Sequence, residues 1–278
     1  MMGLCKGNRG NLMQHWTLAE VFELLRGQHR NLHLITTHSM APWAIPEKVE
    51  QERLCRRVFT AARKRLTTLP NPTAYESAWK LLNAVSGLPY PSTAAFATRL
   101  WPAKGVSISL CEFDAETADE IEGWLSCEEV QRHFSHKVLL RGDWRASIQS
   151  PLSWSNTGAD CMFIEMDPMR YDATSKPPRE TTQPYNLYPE DLELLCQKLP
   201  SGAEKVVLQI SSFNTQNNNM PLNMQLDSMA NVLAVGGFVL QGQTRVGMQM
   251  ASFIFTKGVQ LNCSDLDQRF TAWLEGIQ

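Results

Sequence analysis

The sequence predicts an α/β fold in which a mainly parallel sheet of seven strands is covered by helices on both faces. Apolar runs of strand length recur along the chain and alternate with segments of helical length, as in a doubly wound sheet. Strands that are buried on both faces are apolar almost throughout, and these runs have that character. The runs span residues 33–37, 106–111, 137–140, 161–166, 205–210, 238–241 and 251–255. The last two enclose the polar stretch 242–247 and predict a hairpin at one edge of the sheet.

Several boundaries of the intervening helices carry recognisable signals. The segment 11–25 repeats apolar residues at helical spacing, and Asp114 or Thr117 can cap a helix after the second strand. Pro189 is followed by two acidic residues, which favours a helix start because the free amides of a first turn attract negative charge. The segment 226–235 ends at two glycines, which is a common helix stop.

The stretch between the first two strands is much longer than one crossover helix requires. Two helical segments, 46–66 and 73–85, lie within it on either side of Leu69-Pro70-Asn71-Pro72. We interpret residues 46–88 as a helical insertion subdomain within a single domain that spans residues 1–278.

Composition and charge indicate a soluble globular protein of a reducing compartment. The apolar share is 43%, the charged share is 19% and the formal net charge is −2, so any binding to nucleic acid depends on a local basic patch. The sequence shows no secretory signal and no apolar run that approaches the length of a membrane span. The seven cysteines include no C-x-x-C pair, so neither a zinc site nor a disulfide framework is predicted. We expect a cytoplasmic protein without a metal and without membrane contact.

Acidic residues stand at the ends of three predicted strands. Glu112 follows the second strand and Asp143 the third, and the fourth ends in Asp167-Pro168-Met169-Arg170. Ligands of open α/β sheets bind in the crevice at the carboxyl ends of the strands, where an acid can accept hydrogen bonds from ribose hydroxyls. Each acid alone is also a common helix cap or turn residue. The loop after the first strand, residues 37–43, contains no glycine, so these residues alone do not predict a nucleotide cofactor.

An ordered set of short segments resembles one enzyme family. The segments are Gly7-Asn8 to His15, Thr37-His38, Tyr90-Pro91, Cys111-Glu112, Gly142-Asp143 and Asp167-Pro168. Their order and spacing resemble the bacterial enzymes that methylate N6 of an adenine in large-subunit (23S) ribosomal RNA, the RlmJ type. The resemblance covers about residues 5–257. It implies the Rossmann-like fold of S-adenosylmethionine (SAM) methyltransferases, with strand order 3-2-1-4-5-7-6.

The resemblance also implies roles for individual residues. It implies that SAM is the cofactor and that its site contains His15, His38, Thr93, Glu112, Asp143 and Trp144. Asp167 matches the acid of the family's D-P-P-Y motif and is the implied catalytic residue. A carboxylate that accepts a hydrogen bond from the adenine N6 amine localises the nitrogen lone pair and can take the proton. The aromatic residue of the motif stacks the extruded base.

This chain departs from the family pattern at several positions. D-P-P-Y reads D-P-M-R here, with Tyr171 one position late, and Asn11 and Gln14 replace an Asp and a Lys. Trp144 is bulkier than the family's glycine and either stacks on the adenine ring of SAM or fills its pocket. Two functions follow from these features. The first is a SAM-dependent methyltransferase acting on adenine N6 of RNA, and the second is a catalytically inactive methyltransferase-fold protein that binds RNA or a protein.

A basic run in the insertion is the predicted contact for RNA. It comprises Arg53, Arg56, Arg57, Arg63, Lys64 and Arg65. Such a run either neutralises RNA phosphates or forms a solvated helix face. Without the family resemblance, His15 and His38 are interpreted as core histidines bonded to backbone groups. The tryptophans at positions 16, 79, 101, 124 and 154 are interpreted as core packing.

Overall fold

The strands and helices alternate along the chain as predicted. A computed structural model describes residues 8–45, 49–68, 73–86, 90–148, 158–169, 186–199, 203–213 and 220–277. The strands are β1 (Leu32–Thr36), β2 (Trp43–Ala44), β3 (Tyr90–Pro91), β4 (Val106–Glu112), β5 (His136–Arg141), β6 (Cys161–Met169), β7 (Val206–Phe213), β8 (Val239–Val246) and β9 (Met250–Lys257). The helices are α1 (Arg9–Arg26), α2 (Val49–Thr68), α3 (Ala74–Ser86), α4 (Thr93–Leu100), α5 (Ala115–Leu125), α6 (Glu128–His133), α7 (Trp144–Ile148), α8 (Pro189–Lys198), α9 (Leu222–Val235) and α10 (Leu266–Glu275). None of the helices in these ranges combines the length and the apolar character that a membrane span requires.

Seven strands form one sheet in the order β5-β4-β1-β6-β7-β9-β8. β1 pairs in parallel with β4 and β6, β4 with β5, and β6 with β7. β9 runs antiparallel to both β7 and β8. Counted in chain order within this sheet, the strands are arranged 3-2-1-4-5-7-6. The predicted fold class, a doubly wound α/β sheet of the Rossmann-like methyltransferase type, is confirmed.

The hairpin at the sheet edge is confirmed, but its turn is shorter than predicted. β8 runs through most of the polar stretch, so that residues 247–249 form the turn. β8 is an edge strand that pairs with β9 on one side, and an edge position tolerates polar residues because water reaches it. Thr244 of β8 is nevertheless buried, and its hydroxyl hydrogen-bonds that of Thr17 in α1 at 2.6 Å.

Alternate residues of the central strands pack into two hydrophobic clusters, one on each face of the sheet. Leu34 of β1 and Phe163 of β6 belong to the cluster that includes α1, α4 and α10. Their neighbours Ile35 and Ile164 belong to the cluster that includes α8 and α9. Because successive strand side chains point to opposite faces, an unbroken apolar run fills both layers.

The tryptophans divide between core and surface. Trp16, Trp79 and Trp101 are buried in the cluster of α1, so their interpretation as core packing is confirmed. Trp124 packs against the same cluster but remains partly exposed. Trp154 lies outside the described residues.

The predicted insertion, residues 46–88, contains α2 and α3. β2 pairs antiparallel with β3 at the two ends of this segment. α3 packs on α1 and α4, and α2 packs on α3. Tyr75 and Trp79 of α3 are buried in the cluster of α1, and Trp273 of α10 donates a hydrogen bond from Nε1 to Oε1 of Glu76 at 3.1 Å. The insertion therefore shares a core with the helices of this face, and its status as a subdomain stays a prediction.

Candidate functional site

The parallel strands bring three of their following loops to one edge of the sheet. Thr36, at the end of β1, is in register with Glu165 of β6. Glu112, at the end of β4, is in register with the last residue of β5. Carboxyl ends of adjacent parallel strands border the crevice in which ligands of such sheets bind. We call the region formed by residues 37–40, 112–114 and 142–145 the carboxyl-edge crevice.

The loop after β1 folds back over the strand ends. The amide of Thr37 donates to the carbonyl of Glu165 at 3.1 Å, and the amide of Ser39 donates to the carbonyl of Cys111 at 2.9 Å. The hydroxyl of Ser39 forms a hydrogen bond with the hydroxyl of Thr36, the last residue of β1. His38 is half-buried, and its Nδ1 lies 2.9 Å from the Thr37 hydroxyl. The loop is thus bonded to the ends of β4 and β6 and contains no glycine, whereas a glycine-rich loop lets a cofactor approach the backbone closely.

Glu112 is buried and links the turns that follow β4 and β5. Its Oε1 accepts the amide of Asp114 at 2.8 Å, and its backbone carbonyl accepts the amide of Gly142 at 2.8 Å. Gly142 has a φ of +117°, which residues with a Cβ rarely adopt. The structure therefore brings Glu112 and the residue before Asp143 together.

Asp143 is held by a buried arginine. The amide and Nη1 of Arg145 donate to Oδ1 of Asp143 at 2.9 and 3.1 Å. Nε and Nη2 of Arg145 donate to the two carboxylate oxygens of Asp191 at 2.6 and 2.5 Å, and Nη2 also donates to the carbonyl of Asn186 at 2.7 Å. Burial by itself lowers the pKa of Arg145, but the hydrogen bonds and charge of Asp191, together with Asp143, outweigh it and raise the pKa. The bidentate pair with Asp191 fixes the guanidinium of Arg145, and Arg145 in turn holds Asp143.

Trp144 is a core residue beside the crevice. It is 1% exposed and belongs to the cluster of α8 and α9. Its indole Nε1 is buried and has no hydrogen-bond partner within the ranges that the structure describes. The guanidinium of Arg145 lies 5.0 Å from the centre of its ring. In this arrangement the ring offers no open face to a ligand.

Asp167 lies near the carboxyl end of β6. The pairing of β6 with β7 shifts in register between Met166 and Met169, and such irregularities re-aim side chains next to functional sites. The side chain of Asp167 lies outside the described residues, as do Arg170 and Tyr171. The catalytic role of Asp167 stays a prediction.

His15 and Thr93 meet in a buried cluster between α1 and α4. Nδ1 of His15 lies 2.7 Å from the hydroxyl of Tyr90, and Nε2 lies 3.0 Å from the hydroxyl of Thr93. The imidazole stacks on the Tyr90 ring, with the ring centres 5.3 Å apart. Burial lowers the pKa of His15 from 6.5 to about 3, so the ring is neutral at physiological pH. Both nitrogens are bonded by side chains, whereas the core-histidine interpretation expected backbone groups.

Glu165 is a buried acid that was not among the predicted site residues. It is 4% exposed, and its Oε1 accepts a hydrogen bond from Nε2 of Gln14 at 2.9 Å. Nε2 of Gln209 donates to the carbonyl of Gln14 at 2.7 Å and to the hydroxyl of Ser252 at 3.0 Å. The polar network therefore joins α1 to the strand that carries Asp167. The sequence signal that could have identified Glu165 is its place as an acid inside an apolar run, because buried charges are rare and often functional.

Phe113 is a second residue outside the predicted set. It follows Glu112 at the edge of the sheet and is 46% exposed. An exposed aromatic ring beside a hydrogen-bond acceptor suits a ligand with a planar base and hydroxyl groups.

The basic run lies on the water-facing side of α2. The buried residues of this helix recur at helical spacing and are Gln51, Cys55, Val58 and Ala62. The exposed basic residues are Arg53, Arg56, Arg57, Arg63 and Lys64. Arg56 pairs with Glu52 at 2.7 Å, and the side chain of Arg65 lies outside the described residues. A solvated helix face and a phosphate-binding surface both require this exposure.

The residues of the carboxyl-edge crevice fit the nucleoside half of SAM. Glu112 and Asp143 supply acceptors for hydroxyl and amine groups, and Phe113 supplies an exposed ring. The loop 37–40, bonded across the strand ends, borders the region nearer β1. Within the described ranges, no group of three or more His, Cys, Asp or Glu side chains is placed to hold a metal ion.

Comparison with solved structures agrees with this fold. Protein LPL1258 from Legionella pneumophila, described with the family name DUF519, aligns over 97% of this chain and 91% of its own with a TM-score of 0.63 and 17% identity. A SAM-dependent methyltransferase from Aquifex aeolicus aligns over 90% of this chain and 94% of its own, with a TM-score of 0.39 and 12% identity. The similarity to LPL1258 shows the fold alone. The similarity to the Aquifex aeolicus protein has too low a TM-score to support any further conclusion. No protein-family model and no curated protein matches this chain.

Proposed function

We propose that the protein is a SAM-dependent methyltransferase that acts on N6 of an adenine in RNA. The observation that carries the proposal is the pair of carboxylates, Glu112 and Asp143, at the ends of adjacent strands in a sheet of order 3-2-1-4-5-7-6. Acceptors at the carboxyl edge of a doubly wound sheet suit the hydroxyl and amino groups of a nucleoside. The family resemblance supplies the choice of adenine and of RNA.

Glu112, Phe113 and Asp143 would hold the nucleoside part of SAM. Glu112, fixed by the Asp114 amide, would accept hydrogen bonds from the ribose hydroxyls. Asp143, fixed by Arg145, would accept one from the adenine amine. The family resemblance also implies His38 in this site, together with His15, Thr93 and Trp144, whose side chains are buried in this structure. The bound cofactor supplies an electrophilic methyl group on a sulfonium centre.

Asp167 would act on the target amine. Adenine N6 is a poor nucleophile because its lone pair is delocalised into the ring. A carboxylate that accepts a hydrogen bond from the amine keeps the lone pair on nitrogen and can take the proton as the new bond forms. The proposal is supported by the position of Asp167 near the carboxyl end of β6, beside the register shift.

The exposed basic face of α2 would bind the RNA backbone. The chain has a net charge of −2, so long-range attraction to RNA requires a local concentration of positive charge. Arg53 and Arg57 lie on the exposed side of α2. Contacts of this kind supply sequence-independent affinity, which is screened by salt.

A second candidate function is a methyltransferase-fold protein that binds RNA or a protein without catalysis. The loop after β1 favours it, because the amides of Thr37 and Ser39 are bonded to the ends of β6 and β4. Trp144, buried beside the crevice, also leaves less room than a glycine. SAM binding separates the two candidates.

Calorimetric titration with SAM tests the proposal. Glu112→Gln should weaken SAM binding by about 1–3 kcal/mol, because a charge-assisted acceptor is lost. Asp167→Asn should leave the SAM affinity nearly unchanged and abolish methyl transfer to an adenine-containing RNA, because its partner is the target amine. Glu120→Gln, an exposed position on α5, is the matched control. A folded wild-type protein that binds no SAM at about 1 mM would favour the second candidate.

A further inference from the structure

The hairpin of β8 and β9 brings its turn to the same edge of the sheet as Asp167. Phe213, the last residue of β7, is in register with Met250, the first residue of β9. The turn 247–249 therefore lies at the carboxyl end of β7, which is the neighbour of β6 in the sheet. Adjacent strands are about 4.8 Å apart, so β9 lies roughly 10 Å from the strand that carries Asp167. The turn is not part of the carboxyl-edge crevice but lies beside the end of β6.

Met248 projects from this turn on a hydrogen-bonded support. Its side chain is 83% exposed. Val246 and Met250 pair across the hairpin, and the amide of Gln249 donates to the carbonyl of Val246 at 3.3 Å. Gly247 has a φ of +56°, and a Cβ at this position would have no heavy atom within 4 Å apart from those of its chain neighbours. The turn therefore presents a large apolar side chain to open space.

The base of the hairpin is packed against the first turn of α1. A Cβ on Gly10 would lie 3.1 Å from Cε1 of Phe213 and 3.2 Å from Sδ of Met250. Nε2 of Gln225 in α9 donates to the carbonyl of Phe213 at 3.2 Å. These contacts fix the hairpin at the end of β7. Arg9, the residue before Gly10, is exposed beside it.

The position of Met248 distinguishes it from other exposed apolar residues. Single apolar side chains are common on protein surfaces, and Val235 at the end of α9 is 90% exposed at the opposite edge of the sheet. Met248 instead lies next to the strand of Asp167, with Arg9 nearby. A cation attracts RNA phosphates, and a thioether packs well against aromatic rings. This combination suits a nucleic acid whose bases are being unstacked.

An adenine within an RNA helix must leave its stack before its N6 amine can reach Asp167. The departure leaves a gap between the neighbouring bases. Proteins that unstack a duplex insert apolar side chains, methionine among them, between the bases. Such a wedge must lie beside the pocket of the extruded base and not inside it, which is where the turn places Met248.

We propose that Met248 is the wedge that enters the RNA stack as the target adenine leaves it. The inference rests on the proposed function, because it takes an adenine of RNA as the target. It adds the substrate class, which is an adenine stacked within a helix and not one that is already free in a single strand.

A short RNA duplex with one bulged 2-aminopurine tests the wedge in the absence of SAM. This base fluoresces weakly when it is stacked and strongly when it is extruded, and an unpaired base costs less to extrude than a paired one. The wild-type protein should bind the duplex and raise the fluorescence at saturation. Met248→Ala should still bind through α2 but lower the ratio of extruded to stacked base about fivefold or more, because the loss of one stacking contact changes an equilibrium by about that factor.

Two further variants show whether the effect belongs to the wedge. Met248→Leu keeps a large apolar side chain and should restore most of the fluorescence increase. Val235→Ala removes a comparably exposed side chain at the opposite edge and should behave as the wild type does. Thermal unfolding checks that all three variants are folded. The proposal is overturned if the bound wild-type protein gives no increase, or if folded Met248→Ala gives the same increase as the wild type.

The outcomes separate this inference from the proposed function. A duplex that does not bind at all contradicts both the wedge and the α2 surface as RNA contacts. A duplex that binds without an increase dependent on Met248 contradicts the wedge alone. If sedimentation shows a wild-type dimer and a monomeric Met248→Ala, Met248 belongs to an interface between two copies and the wedge is overturned. Because SAM is absent, none of these results depends on methyl transfer.

Discussion

The buried ion pair between Arg145 and Asp191 provides a direct test of what holds the crevice together. Arg145 and Asp191 have side chains that are 11% and 9% exposed. Arg145→Met keeps most of the apolar stem but leaves the Asp191 carboxylate buried without its bidentate partner. The Tyr188 amide still donates to Asp191 at 2.8 Å, which compensates part of the destabilisation. Breaking one side of a buried pair costs about 3–5 kcal/mol, so we expect a decrease in stability near the lower end of that range.

Urea unfolding followed by circular dichroism measures this decrease. Arg141→Met is the matched control, because Arg141 pairs with Asp119 and Glu122 at 2.8 and 2.6 Å on the surface. Exposed pairs contribute little to stability, so the control should unfold close to the wild type. Replacing both partners, in Arg145→Met with Asp191→Leu, should recover much of the stability because no buried charge remains. Equal, small decreases in Arg145→Met and Arg141→Met would refute this account of the crevice.

Two further predictions concern pH and RNA. The pKa of His15 is lowered to about 3 in the folded protein, so as the pH falls below 6.5 the unfolded chain takes up a proton before the folded protein does. The contribution of the neutral His15 ring to the free energy of unfolding is therefore complete above pH 6.5 and is lost as the pH falls toward 3. The free energy of unfolding, measured with urea between pH 6 and 4, should therefore change with pH about 1.4 kcal/mol per pH unit less steeply in His15→Gln than in the wild type. An unchanged slope would contradict the buried neutral ring. Arg53→Gln with Arg57→Gln should weaken RNA binding. The slope of the logarithm of the binding constant against the logarithm of the salt concentration should become shallower by about 0.7 for each phosphate that is no longer neutralised. Filter binding at several salt concentrations measures this, with Arg132→Gln as control, and an equal effect of the control would argue against the α2 surface.

The central strands of the main sheet could be predicted because they are buried on both faces. Such strands consist almost entirely of apolar residues, which makes the runs visible without knowledge of their partners. β8 shows the limit of this signal. It lies at the edge of the sheet and carries polar residues, so the pattern predicted a longer turn than the three residues 247–249.

The helix α10 lies beyond the predicted elements. Leu266, Phe270 and Trp273 recur at helical spacing and are buried, but a short amphipathic segment after the last strand gives a weak signal. Its packing against Trp16 and Tyr75 decides that it belongs to the core. These contacts depend on where α1 and α3 lie, which the local sequence does not record.

The sequence by itself determined the strands of the main sheet and the sheet edge at which Glu112 and Asp143 gather, because apolar runs and the acids after them are local features. Only the tertiary structure decided the partners of single side chains. His15 meets Tyr90 and Thr93, which are 75 and 78 positions away, and Gln14 meets Glu165 over 151 positions. The spacing of apolar residues indicates which face of a helix is buried, but the residues that this face contacts depend on how separate elements pack.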